Sequence, residues 1–96
     1  MNEKIMELIS RRRRQILVHS FLYYQLNDSL IDDYTFDRWC KELVELQLKY
    51  SRESLQVVYA NDFKDFDGSS EYNLPYNRSE IQTVGYRLLK IAAHYK

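Results

Sequence analysis

Ninety-six residues, 45% hydrophobic and 29% charged, make one globular domain: the chain is too short to divide into two cores and too apolar to stay disordered. Fourteen Lys and Arg balance fourteen Asp and Glu, so no net field draws in nucleic acid, and no sequence-specific nucleic-acid binding is expected. The single cysteine, Cys40, excludes an internal disulfide. No apolar leader or membrane-length apolar run is present, so a cytoplasmic protein without membrane partners is expected.

Residues 3 to 26 contain neither Gly nor Pro and favour a long first helix. Between Ile16 and Leu26 this helix is apolar on most of its circumference, which requires cover on two sides and places it centrally. Residues 27 to 31 read as a turn, Asp32 as an N-cap, and Ile31 as the hydrophobic staple beside it. A second helix over about 33 to 50 carries one stripe: Phe36, Trp39, Leu43, Leu46 and Tyr50. The short connection implies an antiparallel hairpin. Trp39, on that stripe, is expected to be a core anchor, closed off by Leu88 and Ile91 of the last helix.

The second half predicts a third, shorter helix capped by Ser54, with Leu55, Val58, Tyr59, Phe63 and Phe66 on one face and a stop at Asp67-Gly68. Residues 68 to 76 read as loop. Asn77-Arg78-Ser79-Glu80 has the pattern of a capping box opening the last helix, on which Ile81, Val84, Leu88, Ile91 or Ala92, and Tyr95 recur. The expectation is an all-α fold: a hairpin over 1–50, a short helix and loop over 51–76, and a C-terminal helix over 77–96.

The hairpin brings Tyr23 and Tyr24, at the end of one helix, against Asp33 and Asp37 at the start of the next. Tyrosines at a helix end serve as amphipathic core-edge residues, and carboxylates in a first turn favour the macrodipole. The same four side chains also offer flat aromatic faces and hydrogen-bond acceptors to a planar, hydroxylated ligand. Arg11, Arg12, Arg13 and Arg14 form the other conspicuous cluster. Successive helical residues point about 100° apart, so the four cannot share a surface. Glu7, four residues before Arg11, is placed to pair with it. They read as solvated helix surface, or as an anion or partner patch. His19, His94 and Cys40 have no metal-ligand spacing, and His19-Ser20 lacks the third residue of a triad.

The order His19-Ser20-Phe21-Leu22-Tyr23-Tyr24, a connection with Ile31 and Asp33, then Tyr34-Thr35-Phe36-Asp37 and Glu42, Leu43 and Leu46 resembles the N-terminal Ia module of bacterial NAD-dependent DNA ligases. That module runs roughly H-x-Y-x-Y-Y, D-x-P-x-I-S-D, A-E-Y-D-x-L-x-x-E-L-x-x-L. The resemblance covers the first half of the chain. It implies that Tyr23, Tyr24, Asp33, Phe36 and Asp37 grip the nicotinamide mononucleotide (NMN) half of NAD, with His19 shaping the tyrosine end. The family pattern carries Tyr where this chain has Phe36. Phe keeps the ring and loses a hydrogen bond worth roughly 0.5–1.5 kcal/mol. The second half, with Phe63-Lys64-Asp65-Phe66-Asp67-Gly68-Ser69 and a final helix, is similar instead to small proteins carried by bacterial viruses.

Lys64-Asp65-Phe66-Asp67-Gly68 is one residue longer than the K-x-D-G of nucleotidyltransferases, and the large domain that would activate such a lysine is missing from these residues. No enzyme activity, no required cofactor and no metal are therefore expected. Two functions remain open. One is a non-catalytic accessory module, virus-encoded, that binds NMN, NAD or a derivative. The other is an interaction factor that reuses the hairpin to modulate a host protein, such as a defence nuclease or an NAD-consuming enzyme.

Overall fold

Asn2 opens the first helix by accepting hydrogen bonds from the amides of Lys4 (3.1 Å) and Ile5 (3.2 Å) on its side-chain oxygen. The computed structural model describes residues 2–69 and 73–94. Five helices lie among them: α1 (Glu3–Leu26), α2 (Asp33–Lys49), α3 (Ser51–Gln56), α4 (Ala60–Phe63) and α5 (Ser79–His94). No strand occurs among the described residues, and the fold is all-α as the sequence leads one to expect. Tyr95 of the expected last-helix stripe, and part of the expected 68–76 loop, lie outside the described residues.

α1 stops where Asn27 turns into the left-handed region (φ 51°), and the amide of Asp28 reaches back to the carbonyl of Leu22 at 2.9 Å. Five residues later Asp32 caps α2, accepting from the Thr35 amide at 2.7 Å. The chain thus reverses direction within a short, closed turn. α2 packs on one flank of α1 and α5 on another, with α3 touching both α1 and α2. The all-round apolar stretch of α1 explains its central place: Ile16, Leu17, Val18, Phe21 and Leu22 are all buried. Leu43 and Cys40 from α2, Phe63 and Phe66 from the α4 region, and Ile81 from α5 complete the core.

The most consequential core residue is a cation. Arg13 is fully buried, so the expected solvated face holds for Arg11 and Arg14, holds only in part for the half-buried Arg12, and fails for Arg13. Its guanidinium donates to Gln47 Oε1 from Nε (2.9 Å) and Nη2 (2.8 Å), and to Ser54 Oγ at 2.6 Å. It also donates to three backbone carbonyls, those of Ser54 (3.1 Å), Val57 (3.2 Å) and Val58 (3.0 Å). Gln47 in turn donates to the Phe63 carbonyl at 3.0 Å. Desolvation pulls the guanidinium pKa down to about 10 against the opposing field of Asp62, which leaves it charged at neutral pH.

This contact corrects the expected third helix. Instead of one helix with Leu55, Val58, Tyr59, Phe63 and Phe66 on a common face, the chain makes two short pieces. Val57 between them is extended (φ −99°, ψ 151°), and Tyr59 has φ 66°. A continuous helix would consume the Ser54, Val57 and Val58 carbonyls in its own ladder, whereas here they are turned onto Arg13. Leu55 and Val58 consequently face solvent, while Val57 and Tyr59 are buried. Ser54 is not a cap either: α3 begins at Ser51, and Ser54 sits inside it as an acceptor for Arg13. A positive φ is unusual for a bulky residue. Tyr59 is held there by its hydroxyl on Glu80 (3.0 Å) and by Arg78 stacked 5.2 Å above its ring.

Two further expectations change at α5. The helix starts at Ser79, one residue later than an Asn77 cap implies, with the Arg78 carbonyl accepting from the amides of Ile81 and Gln82 (both 3.0 Å). Glu80 receives the Tyr59 hydroxyl across the fold. Trp39 is not enclosed by Leu88 and Ile91, because α5 packs along another flank of α1. Leu88 joins the core there and Ile91 remains exposed. Trp39 is half-buried, with the His19 ring 5.5 Å away and the Arg12 guanidinium 5.7 Å above it. What brings α5 so close to α1 is Gly85: a Cβ there would stand 2.7 Å from Phe21 Cδ2 and 3.4 Å from Leu22 Cδ2.

Arg13→Lys should destabilise nearly as much as Arg13→Ala, by about 3–5 kcal/mol, because an ammonium cannot reach acceptors on both sides of the break and leaves buried carbonyls unpaired. Equilibrium urea denaturation of the two variants measures this. Gly85→Ala gains up to about 1 kcal/mol of helix propensity but over-packs Phe21, at about 1–3 kcal/mol. A lower melting temperature is the expected net result, readable by thermal circular dichroism.

Candidate functional site

The end of α1 and the start of α2 diverge around a cavity of about 410 Å³. Tyr23, Tyr24, Asp33, Phe36 and Asp37 all line it. The five residues singled out in the sequence are thus brought together by the turn that Asn27 and Asp32 close. His19, one turn before Tyr23, forms part of the wall with Cys40, one turn after Asp37. Ser29, Ile31 and Asp32 contribute from the connection, where Ser29 Oγ donates to the Ile31 carbonyl at 2.7 Å.

The aromatic wall is a stack. Tyr23 and Tyr24 lie 4.9 Å apart at 23°, and Tyr24 lies 5.6 Å from Tyr76 at 22°. Tyr76 comes from the segment leading into α5, so the second half of the chain buttresses the tyrosine face. The opposite wall is acidic. Asp37 pairs with Lys41 one turn on (3.0 Å), and Asp32 is held below the usual carboxylate range by its hydrogen bonds from Thr35. Asp33 has no partner among the described residues. His19 is pushed below its ordinary pKa by burial, which keeps the imidazole neutral at pH 7.

The sequence reading missed Gly68 and Ser69, which close the cavity from the second half. Asp67 accepts from both the amide (2.9 Å) and the hydroxyl (2.8 Å) of Ser69, shaping a tight turn around Gly68. Gly68 has φ 92° and rests near the Cys40 carbonyl and Val44. The Asp-Gly-Ser triplet is itself the signal: it marks a turn, though nothing in it says where the turn docks.

The arginine cluster does not assemble. Arg11 pairs with Glu7 at 2.6 Å, Arg12 with Glu42 at 3.2 Å and with Gln15, and Arg14 with Ser10, while Arg13 is inside. No group of three or more His, Cys, Asp or Glu is placed to hold a metal among the described residues, and no described helix is long and apolar enough to cross a membrane.

No protein-family model matches the chain, and no solved structure matches it. Curated proteins do. The DNA ligase of Pseudothermotoga lettingae is 42% identical over 48 residues, and that of Thermotoga maritima 38% over 48 residues. Each alignment covers half of this chain and 7% of the ligase. The DNA ligase of Fervidobacterium nodosum aligns with 94% of this chain at 28% identity, over 15% of its own length. The chain therefore carries a module similar to part of bacterial DNA ligase, in keeping with the hairpin motifs, and spans a small fraction of those relatives' length.

The His19 environment has a measurable consequence. The unfolded chain takes up a proton near pH 6.5, the ordinary histidine value, while the folded chain resists it to lower pH. Stability from this residue is thus complete above 6.5 and declines as the pH falls below it. The urea midpoint should drop between pH 7 and 5.5, before most carboxylates titrate, and His19→Gln should flatten that part of the curve.

Proposed function

We propose that the chain is a non-catalytic module that binds the nicotinamide end of NMN, NAD or a derivative in the cavity between the two hairpin helices. The observation that carries this reading is the convergence of Tyr23, Tyr24, Asp33, Phe36 and Asp37 on one concavity. Its volume lies within the roughly 300–1,000 Å³ typical of small-molecule sites. The tyrosine stack offers a face for a planar ring, and Asp33 and Asp37 offer acceptors for an amide or ribose hydroxyls. Similarity to DNA ligases over half of the chain supports the same assignment.

A role without catalysis is supported by Lys64. It lies in K-x-x-D-G rather than K-x-D-G, and it lines a different groove, with Val44, Leu48, Leu55 and Phe66. On the likeness of its second half to virus-borne proteins, we read the module as an accessory factor acting in a bacterial host.

One observation favours a second reading. Leu48 and Leu55, 78% and 68% exposed, both line that second groove, and exposed apolar side chains grouped at one concavity suit a protein partner. On this reading the hairpin is a scaffold for binding and modulating a host protein.

A chemical-shift titration decides between them. NMN and NAD should perturb Tyr23, Tyr24, Asp33 and Asp37 with weak affinity, in the micromolar-to-millimolar range. Phe36→Tyr should tighten binding by up to about tenfold through the restored hydroxyl, and Asp37→Ala should weaken it. Absence of perturbation at millimolar ligand would leave the protein-interaction reading. Incubation with labelled NAD should leave no covalent adenylate on the chain, and a stable adduct on Lys64 would overturn the non-catalytic assignment.

A further inference from the structure

Resting on the nicotinamide reading above, we propose that the cavity reads the positive charge of its ligand's ring: it takes an oxidised pyridinium nucleoside, discriminates against the neutral dihydro form, and does not read the phosphate. The lining decides this. Among the described lining residues, three carboxylates, Asp32, Asp33 and Asp37, come from α2 and its cap, and the stacked Tyr23 and Tyr24 from the end of α1. No Lys or Arg among the described residues lines the cavity.

The nearest cations sit one layer out. Lys41 lies on Asp37 at 3.0 Å, and Arg38 is close enough to Asp32 to stabilise its charge. They partly offset two of the three carboxylates. Asp33, without a partner among the described residues, is left to supply the field. A carboxylate opposite electron-rich ring faces is the environment that attracts a flat organic cation, through direct Coulomb attraction and the ring quadrupole. Oxidised nicotinamide nucleosides carry that charge on the ring nitrogen. Their 1,4-dihydro forms have nearly the same outline and no charge, so shape alone separates them poorly. A phosphate brings negative charge to a rim that is itself negative, and no described cationic side chain lines the cavity to receive it.

Isothermal titration of the intact chain tests this with four probes: nicotinamide riboside, its 1,4-dihydro form, NMN and neutral nicotinamide. The oxidised riboside should bind about tenfold or more tighter than the dihydro riboside, from the upper part of the cation–aromatic range. It should also bind at least as tightly as NMN, and the oxidised-to-reduced ratio should shrink with added salt. Asp33→Asn should lower the affinity for the oxidised riboside severalfold more than that for the dihydro form, which shares the hydroxyl and amide contacts but not the ring charge. Asp33 is exposed and holds no core contact, so this variant keeps the fold. A structural or hydrogen-bonding role alone would lower both affinities by the same factor.

Equal binding of the oxidised and dihydro ribosides would overturn the charge reading while leaving the nicotinamide assignment standing. NMN binding tenfold tighter than the riboside would also overturn it, since Lys41 or Arg38 would then be reading the phosphate. Failure of all four probes at millimolar concentration would remove both the charge reading and the nicotinamide assignment beneath it.

Discussion

One buried guanidinium sets the shape of this protein. Arg13 projects from the middle of α1 into a space where Gln47 of α2, Ser54 of α3 and the Val57–Val58 turn all present oxygen atoms. A charge so placed is costly to desolvate, and only a full set of hydrogen bonds repays it. Those bonds come from a chain break that would itself be unfavourable without the cation. Each defect satisfies the other. The buried charge and the interrupted helix are one device, which fixes how the second half of the chain lies on the hairpin.

The candidate site inherits that geometry. From the break, α4 carries Phe63 and Phe66 into the core, and Asp67-Gly68-Ser69 then emerges at the mouth of the tyrosine–aspartate cavity. On the far side Gly85 lets α5 close on Phe21 and Leu22, and the segment before α5 lays Tyr76 against Tyr24. The hairpin alone supplies the five candidate ligand-binding side chains. The remainder of the chain supplies one wall and one buttress, so the site belongs to the whole fold although its chemistry belongs to residues 19 to 40.

Much of this could be read from the residues. α1 runs over the expected span because nothing between Glu3 and Leu26 interrupts it, and α2 begins where Asp32 caps it. The convergence of Tyr23, Tyr24, Asp33, Phe36 and Asp37 follows from a tight reversal between two helices. What escaped has a common cause, which is long-range packing without a local mark. Arg13 sits in a run of four arginines and carries no sign distinguishing it from its exposed neighbours. Val57-Val58-Tyr59 contains neither Gly nor Pro, so the break there is imposed by Arg13 rather than by propensity. The flank chosen by α5 depends on a single missing Cβ at Gly85, whose meaning appears only once Phe21 is known to face it.

The ring hydroxyl absent at Phe36 and the presence of Gly68 and Ser69 bear on the same question from opposite sides. Without the hydroxyl, the cavity has one polar contact fewer for a sugar or amide, which argues for a looser hold on a nucleotide. The Asp-Gly-Ser turn adds an exposed serine hydroxyl and a backbone edge at the rim. Gly68 supplies the φ of 92° that this turn needs and that side chains disfavour, although the space toward Val44 and Cys40 would itself accept a Cβ. The hairpin is thus enclosed by elements from the second half of the chain, and the described enclosure is acidic and aromatic rather than basic. What such a cavity presents is a set of ring faces and carboxylates, and among those carboxylates Asp33 is the one with no partner among the described residues.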